Sequence, residues 1–214
     1  MITPPPRRVA NDLTEAEFIA WYGPWNPMSI PEIVELMSGS PVRWWIAGGW
    51  AIELETGISR DHDDVDLAIN ADDLAAFRTT VPDLHLWEAH SGSLTPLLPG
   101  NELQEGREQL WARAGATEPW RLDLLLSPVD GQEWVFKRDH AIRMPLDQAL
   151  RTTADGVSYL APHIVLLYKA RLLRDKDRAD FAVAVPRLDA DERAWLADAL
   201  TRHLGDHEWI DALG

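Results

Sequence analysis

Two acids separated by one residue, Asp64 and Asp66, have the type and spacing that could hold a metal ion. They fall in a predicted strand with Val65 between them, and side chains two apart on a strand point to the same face. The pair would therefore direct two carboxylates at one point, and carboxylate oxygens are the ligands that Mg²⁺ prefers. The competing interpretation is a solvent-exposed strand face or a turn entry, which the spacing alone leaves open.

A glycine pair, Gly48 and Gly49, precedes these acids, at the end of one predicted strand and just before a predicted short helix. Backbone that lacks a Cβ can approach a phosphate closely, and a helix N-terminus offers unpaired N–H groups. A plain tight turn explains the same two residues. Arg60 and His62, just ahead of the acids, would either contact phosphates or hold the loop in shape. The combination predicts a metal-dependent phosphate site.

A third candidate acid lies in an apolar segment that is predicted to be a strand. The segment reads Trp120-Arg121-Leu122-Asp123-Leu124-Leu125-Leu126. A lone acid in a buried strand is costly unless it is paired or bound to a cation. Spacing alone leaves two equal interpretations of Asp123: a third carboxylate beside the first pair, or a solvent-exposed face shared with Arg121.

The segment 44–69 resembles the polymerase-β-type nucleotidyltransferase superfamily, and within it the aminoglycoside and lincosamide nucleotidyltransferases. The residues that carry the resemblance are Trp45-Ile46-Ala47-Gly48-Gly49-Trp50-Ala51-Ile52 and Arg60-Asp61-His62-Asp63-Asp64-Val65-Asp66. Glu53 stands where many relatives have Asp, so a carboxylate is kept. The superfamily resemblance implies a third acid on a later strand, which favours Asp123 as a member of the site.

The C-terminal third resembles the aminoglycoside adenylyltransferase-like group. The residues that carry this likeness are Tyr159-Leu160-Ala161-Pro162, Leu166-Leu167-Tyr168-Lys169-Ala170 and Lys176-Asp177-Arg178-Ala179-Asp180-Phe181. His163 departs from the pattern, because relatives often have Glu after that proline. Lys169 lies in an apolar helical run, where a buried ammonium needs a partner. It would either reach the nucleotide phosphates or extend its amino group to solvent.

The order of elements predicts an α/β (α+β) protein. A small mixed-sheet nucleotidyltransferase domain is expected over residues 1–152, followed by a helical domain over 153–214, in which three segments have helical apolar spacing. The stretch 99–117 has no clear period and is predicted to be a loop, either a variable surface connection or part of a substrate mouth. Among the eleven tryptophans, Trp50 or Trp87 is expected to line a ligand pocket.

The amino-acid composition restricts the classes of function that the chain could have. The chain has 214 residues with 35 acidic and 20 basic side chains, a net charge of −15, which disfavours nucleic acid and favours a cationic partner. It has no cysteine, which excludes disulfides and thiolate chemistry. No apolar run reaches membrane-spanning length and the start lacks the apolar core of a signal peptide, so a cytoplasmic location is expected. Residues 3–8 are expected to form an extended arm.

The resemblance implies a Mg²⁺-dependent enzyme that moves a nucleoside monophosphate, AMP from ATP, onto a hydroxyl of a small molecule such as an aminoglycoside-type antibiotic. Three acids would be catalytic and would hold two Mg²⁺ ions: Asp64, Asp66 and Asp123. Five residues would bind the nucleotide: Gly48, Gly49, Arg60, His62 and Lys169. Two alternatives are a toxin-type nucleotidyltransferase that acts on protein or RNA, and a non-catalytic nucleotide-binding relative. The net charge argues against RNA, and the retained acids argue against the non-catalytic relative.

Overall fold

The computed structural model describes residues 13–214, and the arm predicted at residues 3–8 lies outside them. The helices are α1 (Glu15–Tyr22), α2 (Ile30–Leu36), α3 (Gly48–Thr56), α4 (Leu74–Thr80), α5 (Leu146–Ala149), α6 (Pro162–Lys169), α7 (Asp175–Ala184), α8 (Ala190–Leu204) and α9 (Ile210–Leu213). The strands are β1 (Trp44–Ile46), β2 (Asp66–Asn70), β3 (His85–His90), β4 (Ser93–Pro96), β5 (Gln109–Arg113), β6 (Leu122–Ser127), β7 (Val129–Asp130), β8 (Glu133–Val135), β9 (Arg143–Pro145), β10 (Leu150–Thr152) and β11 (Ser158–Leu160).

An eight-stranded mixed sheet lies at the centre of the described chain, in the order β10-β11-β1-β2-β6-β5-β3-β4. Strand β2 runs parallel to β6, and β1 runs parallel to β11, whereas the other neighbours are antiparallel. Strands β7, β8 and β9 form a separate antiparallel sheet. The mixed sheet and its helices confirm the predicted α/β (α+β) class.

Local sequence signals account for the ends of several helices. Helix α1 begins after Thr14 with a capping box to Glu17, and α2 begins after Ser29 with a capping box to Glu32. In each box two backbone N–H groups that the helix leaves unpaired are satisfied by side chains. Helix α3 ends at Gly57, which adopts the left-handed conformation that glycine tolerates best.

The three predicted C-terminal helices are present as α6, α7 and α8, although α6 is shorter than expected and ends at Lys169. Helix α6 is almost entirely buried, and it packs against α3, α7 and α8. The division between residues 152 and 153 stays a prediction; strand β11, which lies beyond it, pairs with β1 in the central sheet. Within residues 13–214, no helix combines the length and apolarity needed to cross a membrane.

The prediction for residues 99–117 is wrong. The stretch 99–117, predicted to be a loop, contains strand β5, which pairs with β3 on one side and β6 on the other. Its buried residues Leu110 and Ala112 alternate with Gln109 and Trp111, which line a cleft. Burial of alternate residues is what gives a strand with one covered face its stability.

Candidate active site

Three carboxylates meet at one end of the central sheet. Ligand oxygens of Asp64, Asp66 and Asp123 all lie within 4.8 Å of one another. Asp66 is the first residue of β2, and it is the register partner of Asp123 across the parallel β2–β6 pair. Asp64 precedes β2 and lies in the loop, so its predicted position within the strand is wrong. Asp123 is only 3% exposed, which excludes the solvent-exposed interpretation.

Because these three acids are buried close together, the ionised form of each carboxyl group is disfavoured. Burial raises the pKa of Asp66 to about 7, and the charge of Asp64 adds to the rise. Burial also raises the pKa of Asp123 well above its ordinary value, with further contributions from Asp66 and Asp64. The pKa of Asp64 is raised as well, again chiefly by burial. Such a site is stabilised by a proton or by a cation that the carboxylates share.

The oxygens of Asp123 have different environments. Oδ2 accepts a hydrogen bond from the side-chain amide of Gln109 at 2.6 Å, whereas Oδ1 is buried and has no partner among the described residues. The indole N–H of Trp111 is close enough to act against the rise in the Asp123 pKa, but it lacks hydrogen-bond geometry to any described acceptor. An all-oxygen donor set with an unpaired buried oxygen fits a divalent cation such as Mg²⁺.

Gly48 and Gly49 have no side chain at the points where Asp66 and Arg60 approach the backbone. Gly48 has φ of +57°, and a Cβ added there would lie 1.7 Å from Oδ2 of Asp66. A Cβ on Gly49 would lie 2.0 Å from Nη2 of Arg60. Helix α3 begins at Gly48 without a side-chain cap, and both glycines line the cleft. The first N–H groups of α3 are therefore available to an anion.

Arg60 and Lys169 are held by acids of helix α7. Arg60 makes two hydrogen bonds to Asp180, from Nε at 2.8 Å and from Nη2 at 3.0 Å. The Lys169 ammonium lies 2.8 Å from Asp180 and 3.4 Å from Asp177. Lys169 is 9% exposed, so its ammonium is paired inside the protein rather than extended to solvent. Both basic side chains line the cleft, and their contact with a nucleotide stays a prediction.

His62 connects the loop ahead of β2 to helix α3. Its Nε2 lies 2.9 Å from Glu53 Oε2, and its ring stacks on Trp50 with centroids 4.2 Å apart. The Trp50 indole N–H donates to the backbone oxygen of Asp64 at 3.1 Å. These contacts fix the loop that carries Asp64. Trp50 supports this loop from behind, so its predicted place in the pocket wall is wrong, and Trp87 does not line the cleft either.

His163, which stands where relatives often have Glu, is buried between helices. Its Nδ1 lies 3.4 Å from Glu192 Oε1, outside hydrogen-bond geometry, and its ring meets Trp195 edge-on. His163 does not line the cleft. This departure from the family pattern therefore affects the packing of α6 on α8.

The three acids open into a cleft of about 1070 Å³. Its described charged lining comprises the acids Glu15, Asp63, Asp64, Asp66 and Asp123 and the bases Arg60, Lys137, Arg138, Lys169, Arg174 and Lys176. The negative net charge of the chain is therefore not concentrated here. Sequence reasoning missed Gln109 and Trp111 as members of this wall, although the alternation of residues 109–113 is a strand signal that could have found them.

Comparisons with known proteins give the same fold. A family model described as aminoglycoside-2''-adenylyltransferase matches residues 29–88. The solution structure of the antibiotic-resistance factor ANT(2'')-Ia matches with a TM-score of 0.54 and 18% identity, covering 81% of this chain and 90% of its own. No curated protein sequence matches the chain significantly.

Two crystal structures are also similar. ANT(2'')-Ia in complex with adenylyl-2''-tobramycin matches with a TM-score of 0.52 and 18% identity, covering 81% of this chain and 95% of its own. The lincomycin-bound lincosamide antibiotic adenylyltransferase LnuA matches with a TM-score of 0.51 and 16% identity, covering 74% of this chain and 98% of its own.

The mixed sheet brings three carboxylates to a glycine turn at the start of a helix, and this arrangement can hold a divalent cation beside phosphate groups. The match over residues 29–88 and the shared fold make the chain similar to the aminoglycoside and lincosamide adenylyltransferases.

Proposed function

We propose that this protein is a Mg²⁺-dependent enzyme that transfers a nucleoside monophosphate, AMP from ATP, to a hydroxyl of a small-molecule antibiotic of the aminoglycoside or lincosamide type. The observation that carries the proposal is the meeting of Asp64, Asp66 and Asp123 within 4.8 Å beside the glycine turn. The acceptor class is supported by what the family model and the similar structures are named for. We propose the cytoplasm as the location of this reaction, because ATP is available there.

The three carboxylates would hold the metal, with two ions as the family resemblance implies. When bound there, Mg²⁺ supplies positive charge that offsets the charge on the attacking and leaving oxygens. Because burial and mutual repulsion disfavour three ionised carboxylates in this site, a divalent ion bound there would also offset that repulsion.

Asp123 is the proposed general base. Its carboxylate lines the cleft and would accept the proton of the acceptor hydroxyl, while the Gln109 amide holds Oδ2 in place. The hydroxyl oxygen then forms a bond to the α-phosphorus, and the bond from that phosphorus to the leaving pyrophosphate breaks. Gln109 acts as a positioning residue in this scheme, since it touches Asp123 rather than the substrate.

The nucleotide phosphates are proposed to lie between the start of α3 and the basic side of the cleft. The first N–H groups of α3, at Gly48 and Gly49, would donate to phosphate oxygens. Arg174 and Lys176 add positive charge at the cleft wall, and both have partly exposed side chains. Arg60 and Lys169 would reach a phosphate only from within their ion pairs with Asp180.

The test is pyrophosphate release from ATP with Mg²⁺ and a panel of acceptors. Release with an aminoglycoside or lincosamide, lost in Asp64→Asn and Asp66→Asn variants that remain folded, supports the proposal. Near-wild-type turnover in either variant would show that the metal assignment is wrong. Release only with RNA or protein would instead indicate a toxin-type enzyme, and ATP binding without release would indicate a non-catalytic relative.

A further inference from the structure

One wall of the cleft is aromatic. Phe18 from α1, Trp25 from the segment after α1, and Trp111 from β5 all line it. The Trp25 and Trp111 rings meet edge-on with centroids 5.1 Å apart, and the Phe18 and Trp111 centroids are 6.1 Å apart. All three side chains are only partly buried, so ring surface stays open to the cleft.

This wall is adjacent to the proposed base. Trp111 is the register partner of Asp123 across the antiparallel β5–β6 pair. A molecule seated against these rings therefore lies next to the Asp123 carboxylate, which also lines the cleft. A carboxylate accepts a hydrogen bond from a hydroxyl, so a hydroxyl of that molecule can be directed at Asp123.

The sheet order separates this wall from the phosphate side. Strand β1, which leads to Gly48, lies on one side of the β2–β6 pair, and β5 lies on the other. Gly48 and Trp111 therefore flank the acids from opposite sides. If phosphates lie at the start of α3, the space beside Trp111 is left for the acceptor.

The aromatic wall carries little negative charge. Glu15 is the one acid that α1 adds to the described lining. Asp63 is paired with Lys176 at 3.0 Å, and the other lining acids belong to the three-carboxylate site. Binding of a polycation here would remove water from several ammonium groups, but the wall does not offer a carboxylate to pair with each of them. The uncompensated loss of hydration makes such binding unfavourable. In contrast, a ligand ring with an apolar face is stabilised against aromatic side chains by dispersion and by the burial of apolar surface.

We propose that Phe18, Trp25 and Trp111 form an aromatic acceptor subsite. Its ligand is a hydroxylated ring compound with an apolar face and at most one or two amino groups, whose hydroxyl is directed at Asp123. This inference rests on the proposed function, because it assigns the acceptor of that same reaction.

The experiment compares lincomycin, which has a single basic nitrogen and an alkyl chain, with tobramycin, which has several amino groups. Pyrophosphate release is measured for the wild-type protein, Trp111→Leu and Phe18→Ala. Trp21→Ala is the matched control, because Trp21 lies on the same helix as Phe18, is 77% exposed and does not line the cleft. Quenching of tryptophan fluorescence by lincomycin, without nucleotide, reports acceptor binding independently of turnover.

We expect kcat/KM to be higher for lincomycin than for tobramycin. Either cleft variant should raise the KM for lincomycin roughly tenfold and leave the KM for ATP within about twofold, whereas Trp21→Ala should change neither. Higher kcat/KM for tobramycin, or an unchanged KM for lincomycin in both folded variants, would overturn the subsite. If neither acceptor gives pyrophosphate, the proposed transfer fails, and fluorescence quenching that Phe18→Ala weakens would still support the subsite.

Discussion

Asp66 and Asp123 are register partners on two parallel strands, and the charge of Asp66 contributes to the raised pKa of Asp123. A positive charge bound at the site would therefore offset this repulsion between the carboxylates. A carboxylate pair with this placement makes the stability of the protein depend on pH and on divalent cations.

The first prediction concerns that dependence. Burial raises the pKa of Asp66 to about 7, whereas an unfolded Asp has a pKa of about 3.9. Between these values the folded state binds more protons than the unfolded state, so stability falls as the pH rises. Without divalent ions, the melting temperature should fall between about pH 4 and pH 7, and Mg²⁺ should restore it at about pH 7 and above. Thermal unfolding with EDTA or with Mg²⁺ at each pH measures both effects.

Asp66→Asn is the control for this prediction, since it removes the titrating group. Its melting temperature should depend less on pH and respond less to Mg²⁺. An equally steep pH dependence in this variant would mean that other groups cause it.

The second prediction concerns the glycine turn. Gly48→Ala places a Cβ 1.7 Å from Oδ2 of Asp66, so the carboxylate must move. A displacement of this size should lower turnover roughly a hundredfold or more. Gly57→Ala is the matched control, because Gly57 also has a positive φ, of +70°, but an added Cβ would meet nothing within 4 Å. That variant should lose about 1 kcal/mol of stability and keep its turnover. Equal activity in the two variants would rule out the steric explanation.

The third prediction concerns Gln109. Its amide donates to Asp123 Oδ2 at 2.6 Å, so Gln109→Leu frees the carboxylate to rotate. We expect kcat to fall about tenfold with the KM for ATP unchanged. Gln109→Asn tests whether the length of the side chain matters, since the shorter amide cannot make the same hydrogen bond to Asp123. Steady-state kinetics distinguishes this positioning role from a binding role, which would raise the KM instead.

The fourth prediction concerns Asp180, which is 3% exposed and pairs with both Arg60 and Lys169. Asp180→Asn leaves two cations together without their shared acid, and it should cost about 2–3 kcal/mol, reduced somewhat because Arg60 is partly exposed. Asp63→Asn is the control: Asp63 is 84% exposed in its pair with Lys176, and its loss should leave stability unchanged. Urea unfolding of both variants measures the difference, and equal stabilities would show that the buried network contributes little.

Several features of the fold could be predicted because they depend on residues close together in the chain. The capping boxes at Thr14 and Ser29 need only residues three positions apart. The helical spacing of the C-terminal third likewise reflects one apolar face per helix. Strand β5 was missed because its short alternation is set among Gly, Glu and Arg residues, and its pairing with β3 and β6 supplies the stability that local sequence does not show.

The sequence alone determined which acids could form the site, because a carboxylate in an apolar strand needs a partner or a cation wherever it lies. Only the tertiary structure decided that Asp123 faces Asp66, since this depends on the register of two strands distant in the chain. It also decided that His62 and Trp50 hold the loop, and that Trp111 lines the cleft. The surroundings of a side chain depend on which distant segments of the chain pack against it, and the pattern of residues along the sequence does not specify those segments.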